Sequence, residues 1–92
     1  MNATEFAAVL RAEGFAEALV RHLPAGKGVP EHAHEFDAKV LITAGALTLT
    51  RDGVASTYRP GDLFAVPTGC RHAELAGAEG AEFLAGRRQP TG

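Results

Sequence analysis

Apolar positions near the start of the chain recur at helical spacing. Phe6, Val9 and Leu10 fall on one stripe, Thr4 stands where an N-cap belongs and Gly14 offers a left-handed stop, which predicts a helix over 4–13. From Phe15 onward the pattern shortens into apolar runs bounded by turn residues, the mark of strands. These runs predict strands near 16–23, 38–44, 46–51, 54–59, 62–66, 71–76 and 81–86. Gly45 interrupts the run after Ala44, and Asp52-Gly53 is a two-residue hairpin signal. Pro60-Gly61-Asp62, Pro67-Thr68-Gly69 and the stretch from Gly77 to Gly80 close later connections. No helix-length periodic segment interrupts the series, which argues against a parallel α/β sheet. Many short strands at close spacing point instead to an all-β domain, a sandwich or barrel with a short N-terminal α-helix. The expected organisation is a helix over 1–14, a barrel over 15–88 and a polar tail over 89–92.

Strand side chains change face at every residue, so alternation sorts the segment from 31 to 44 into two faces. His32, His34, Phe36, Ala38, Val40, Ile42 and Ala44 share one. Glu31, Ala33, Glu35, Asp37, Lys39, Leu41 and Thr43 share the other. Two imidazoles at the mouth of an apolar interior stand where a chelate could form away from bulk water. Two side chains alone hold a metal poorly, so the pair asks for further ligands. Phe36, Ala38, Val40, Ile42 and Phe64 are expected in the core, and as lining of any pocket beside the histidines.

Composition narrows the functional classes. With 92 residues, 46% hydrophobic content and a formal net charge of -2, the chain reads as one small soluble domain. A core of that size is limited, so a metal ion or a second copy of the chain is an expected source of extra stability. The mild acidity and scattered basic residues give no nucleic-acid footprint, and Arg87-Arg88 reads as a solvated end. A single cysteine, Cys70, rules out an internal disulfide and fits a reducing compartment. No apolar run approaches the roughly 20 residues that span a bilayer. Glu5, Arg11 and Glu13 interrupt what would have to be a signal-peptide core, so the expected location is cytoplasmic. Gly26-Lys27-Gly28 lacks the third glycine and the helix of a dinucleotide loop. No Ser-His-Asp arrangement or inward carboxylate pair is present to carry hydrolysis without a metal.

Two spaced motifs then carry a resemblance. Gly26, five residues, His32-Ala33-His34 and a later Gly45 form the first; Gly61, five residues, Pro67-Thr68-Gly69, two residues and His72 form the second. In this order the chain resembles a small single-domain cupin, and the two motifs cover roughly 26–76. The resemblance implies a cupin β-barrel, or jelly roll, with His72 brought beside His32 and His34 by barrel closure. It also implies a homodimer, with the Leu41 and Thr43 face and the N-terminal helix as surface to be shared. Two positions depart from the family pattern. Ala38, or Lys39 at the alternative spacing, stands at the position of the motif Glu, and Ala76 at that of the final Asn.

Three neutral imidazoles can hold a divalent transition metal and leave positions open for water or substrate. The donor set suits Fe, Ni, Cu or Zn better than Mg or Ca, and the resemblance adds manganese. Without the carboxylate, the ion's charge is uncompensated, which favours a small polar or anionic ligand. Glu74 shares the His72 face and is a candidate substitute ligand or an acceptor orienting an imidazole; Asp37 would need a bulge to turn inward. Cys70 and His22 match no ligand position. The readings left open are a metal-dependent oxygenase, dioxygenase-like, or isomerase, a small-molecule or metal-sensing binding module, and a metal-free structural barrel.

Overall fold

The computed structural model describes residues 1–90, so Thr91 and Gly92 of the expected tail lie outside the described residues. One helix, α1 (Ala3–Ala12), precedes six strands: β1 (Leu19–Leu23), β2 (Gly28–His32), β3 (Asp37–Arg51), β4 (Val54–Tyr58), β5 (Leu63–Val66) and β6 (His72–Arg88). All pairings are antiparallel. The architecture is an all-β jelly roll with a short N-terminal helix: the strand pattern implied the all-β class, and the resemblance implied the jelly roll. Among the described residues, no helix is long and apolar enough to cross a membrane.

Two strands are much longer than expected, and they organise everything else. Gly45 does not end a strand, and neither does the Gly77–Gly80 stretch; each lies inside one of the long strands β3 and β6. These two pair along most of their length, with register shifts between Ile42 and Ala44 and between Gly45 and Leu47. On one side of this bend, β1 and β5 flank the pair; on the other, β2 and β4 do. The result is two four-stranded layers that share β3 and β6. The bend needs glycine on both strands. Gly45 has φ of +70° and Gly80 +79°, and a Cβ on Gly45 would sit 2.1 Å from the Gly80 carbonyl oxygen. Sequence reading takes such glycines for terminators, because a bulge and a strand end use the same residue.

The bulges also reset the alternation. Ala38, Val40 and Ile42 point into the barrel, but so do Leu47 and Leu49, while Ala44 is exposed. These residues pack with Phe64, Val66, Ala76, Ala81 and Phe83 as the core between the layers. Nor is the stretch from His32 onward one regular strand: β2 ends at His32 and β3 begins at Asp37.

A second apolar cluster lies outside the barrel, where Phe6 and Leu10 of α1 meet Phe15 and Leu41. Leu41 is thus covered by its own chain, with 1% exposure, and Thr43 donates a hydrogen bond to Glu82 at 2.8 Å. The face expected to be shared with a second copy is occupied from within. The helix N-cap is Asn2 rather than Thr4. Its Oδ1 accepts from the Glu5 N–H at 2.8 Å and the Glu5 carboxylate accepts from the Asn2 N–H at 3.0 Å, a reciprocal box that outweighs a lone hydroxyl. Gly86 lets Leu10 seat directly on β6, since a Cβ there would lie 2.8 Å from the Leu10 side chain.

Gly45→Ala is expected to destabilise the fold by about 3 kcal/mol or more, combining left-handed strain with a backbone clash. Gly53→Ala meets no atom within 4 Å and carries only the strain of its φ of +75°, about 1–2 kcal/mol. Urea denaturation of both variants checks this; matching midpoints would show that the bend tolerates a side chain.

Candidate metal centre

The register of β2 against β6 pairs His32 directly with His72. Their ring centroids lie 4.3 Å apart. His34 follows in the bend between β2 and β3, with its ring centroid 4.9 Å from each of the others. Its carbonyl accepts from the Gly69 N–H at 2.9 Å, which ties this bend to the Pro67-Thr68-Gly69 turn. One ring nitrogen from each histidine lies within 4.8 Å of the other two. Ligands around one transition ion, with bonds of about 2.0–2.1 Å, sit roughly 3.4 Å apart at tetrahedral angles. His32 and His34 are half-buried, whereas His72 is buried in the barrel wall.

Backbone carbonyls set the tautomers. His32 Nδ1 lies 2.8 Å from the Pro30 oxygen and His72 Nδ1 lies 2.9 Å from the Cys70 oxygen. A carbonyl can only accept, so each Nδ1 carries a hydrogen, and in the neutral ring each Nε2 keeps its lone pair. His72 Nε2 is buried and has no hydrogen-bond partner; the same holds for His34 Nδ1. Leaving such an atom unpaired costs about 1–3 kcal/mol. Glu74 Oε1 lies 3.6 Å from His72 Nε2, too long for a hydrogen bond. One nitrogen from each of the three histidines would hold a cation, with Glu74 beside His72 but outside that cluster. The residues present therefore fit a divalent transition metal.

His32 and His34 open onto a cavity of about 160 Å³, which Phe36, Ala38, Val40 and Glu74 also line. Ile42 and Phe64, expected beside the site, are in the core but do not line this cavity. Asp37 does not turn inward. Its carboxylate accepts from the Thr68 N–H and hydroxyl, both at 2.9 Å, and pairs with Arg88 at 3.0 Å. The bond from Thr68 N–H, then Arg88, holds its pKa below the ordinary carboxylate value. Cys70 Sγ is directed to the Arg71 carbonyl and stands outside the histidine cluster. A larger surface cleft of about 450 Å³, between Glu31, Arg51, Asp52 and Arg71, contains none of the three histidines.

Sequence reading missed Arg21 and Arg87, both of which line the histidine cavity. The signal was available in β6: Phe83, Ala85 and Arg87 alternate inward together, so extending the strand by two residues would have placed Arg87. Arg87 lies over the Phe36 ring, 4.5 Å from its centroid, and Phe36 stacks on His34 at 4.6 Å with 6° between planes.

Residues 19–85 match the model of the Cupin domain family. The chain belongs to the cupins. Solved cupin structures agree in fold. KdgF from Halomonas sp. superposes with a TM-score of 0.72 at 21% identity, covering 80% of this chain and 68% of that one. The Cnp3 cupin domain of Schizosaccharomyces pombe gives 0.72 at 19% identity, covering 83% and 64%. The DMSP lyase DddQ from Ruegeria pomeroyi DSS-3 gives 0.71 at 29% identity, covering 77% of this chain but only 36% of its own. A comparison with curated proteins finds no match.

Burial, and then the charges of His72, His32 and Arg87, hold the His34 pKa below its ordinary 6.5. An unfolded chain therefore binds a proton at His34 more readily than the folded one, so metal-free protein should lose stability as pH falls below about 6.5. Urea midpoints are expected to be lower at about pH 5.5 than at about pH 7.5, and His34→Gln should shrink the difference. An undiminished difference in that variant would place the effect elsewhere.

Proposed function

We propose that this cupin holds one divalent transition ion on His32, His34 and His72 and uses it to bind and transform a small anionic molecule. The observation that carries this reading is the buried, unpartnered Nε2 of His72 facing its two neighbouring imidazoles. Iron, nickel, copper, zinc and manganese are the candidate ions, because borderline nitrogen donors suit them. The reactions that fit best are those of a metal-dependent oxygenase or isomerase, in which the bound ion supplies Lewis acidity to a substrate oxygen.

The chain's own residues have separable roles. The Pro30 and Cys70 carbonyls orient two imidazoles and, in the neutral ring, leave Nε2 as the atom with the lone pair. Glu74, 3.6 Å from His72 Nε2 and outside the three-histidine cluster, would orient that imidazole and offset part of the ion's charge. Val40, Phe36 and Ala38 supply an apolar wall that keeps bulk water from one side of the centre. A cavity of about 160 Å³ admits a ligand about the size of five water molecules at about 30 Å³ each. The DMSP lyase likeness, at 29% identity, supports a barrel of this shape carrying chemistry rather than serving only as a scaffold.

Elemental analysis after loading should find one ion per chain. Cobalt or zinc at about 100 times its dissociation constant should stabilise the wild type by about 2.7 kcal/mol in thermal or urea melts. His72→Ala should lose that stabilisation, and Glu74→Gln should weaken ion affinity by about 10–100-fold. An equal gain in the wild type and His72→Ala would remove His72 from the centre. Oxygen uptake by iron-loaded protein with a small anionic thiol or diketone tests the oxygenase reading; ion uptake without turnover of such compounds would make the barrel a binding module.

A further inference from the structure

We infer that Arg87, with Arg21, anchors the far carboxylate of a short dianionic ligand whose other end sits at the three-histidine centre. The inference rests on the metal reading above, and names the ligand class for that site.

Its first support is placement. Arg21 lies on β1 directly opposite Phe83 of β6, and Arg87 lies on β6 directly opposite Ala38 of β3. Both line the cavity that holds His32 and His34, and both are exposed to solvent, so they stand at its wet end. The second support is that neither arginine is engaged by a carboxylate. Lys39, Arg71 and Arg88 pair with Glu13, Glu31 and Asp37, whereas neither Arg21 nor Arg87 makes an ion pair among the described residues. Position 38 explains part of this. A glutamate there, as the family motif would have it, would be the cross-strand neighbour of Arg87 and could neutralise it. With Ala38 in its place, the guanidinium has no carboxylate across the ladder.

The third support is preorganisation. Arg87 is held over Phe36, which is itself stacked on His34, so the guanidinium is aligned with the ligand cluster through one column of rings. A planar guanidinium presents paired donors that match a carboxylate. Between the two polar ends the cavity wall is apolar: Leu23, Val29, Val40, Phe83 and Ala85. The complementary ligand is therefore a short chain with an oxygen donor for the ion at one end and a carboxylate at the other. Glu74 does not reverse the sign of the site, since a dication with two guanidinium groups outweighs one carboxylate.

Malonate and succinate are the probes, with acetate and neutral malonamide as controls, titrated calorimetrically into cobalt-loaded and metal-free protein. Cobalt uptake is scored independently from the absorption of the bound ion. The wild type is expected to bind at least one of the two dicarboxylates about tenfold or more tightly than acetate. Arg87→Gln and the Arg21→Gln/Arg87→Gln pair should still take up cobalt but lose about tenfold or more in dicarboxylate affinity, so that malonate and succinate no longer bind more tightly than acetate. Equal dicarboxylate affinity in the wild type and the double variant, or no dicarboxylate binding by the wild type, overturns the inference. A chain that takes up no cobalt overturns the metal reading alone. The arginine anchor is then decided in metal-free protein, where malonate must still distinguish the wild type from the double variant.

Discussion

The pairing of β2 with β6, which sets His32 directly across from His72, is the constraint on which the site depends. Strand faces alternate at every residue, so a slip of one position would turn the His72 ring out of the barrel. Several backbone hydrogen bonds hold the register where β2 begins. Gly26 N–H donates to the Gly77 carbonyl at 3.1 Å, and Ala76 N–H donates to the Lys27 carbonyl at 2.9 Å. A bulge between Val29 and His32 then sets the last residue of β2 against the first of β6. The glycines of the first motif serve this backbone path rather than any phosphate.

The inner site is positioned from the outer surface. Asp37 fixes the Thr68 turn and, through Arg88, the end of β6; Arg88 donates to the Glu13 carbonyl at 2.7 Å and lies over Phe15. Lys39 pairs with Glu13 from the same outward face of β3. This chain of contacts links the helix end, both long strands and the turn that leads to His72. A carboxylate considered as a ligand thus acts on the centre only by holding the turn in place.

Much of this was legible in the sequence because the chemistry was sparse. Only four histidines exist, and three stand at motif spacings, so their convergence could be expected before any coordinates. The alternation from Phe36 to Ile42 and the turn at Asp52-Gly53 were equally plain. What stayed hidden was long-range or ambiguous by nature. A glycine that bends a continuous strand looks like one that ends it, as Gly45 and Gly80 show. Asn2 and Thr4 are both competent caps, and the choice turned on Glu5 reaching back. Arg87 read as part of a solvated end, beyond a strand expected to stop at 86, because β6 runs on through Arg88, sustained by pairing with β3 rather than by its own apolar content.

The ligand residues are far apart along the chain, and this has a mechanical consequence. Among the described residues β2 pairs with β6 alone. An ion shared by its last residue and His72 would close a loop of about 40 residues, which in a chain-entropy picture is worth about 4 kcal/mol when the link is permanent. Loading the centre and fastening the rim of the barrel would then be a single event. The abundance of intact protein in a cell would follow the supply of the ion, quite apart from any reaction it promotes.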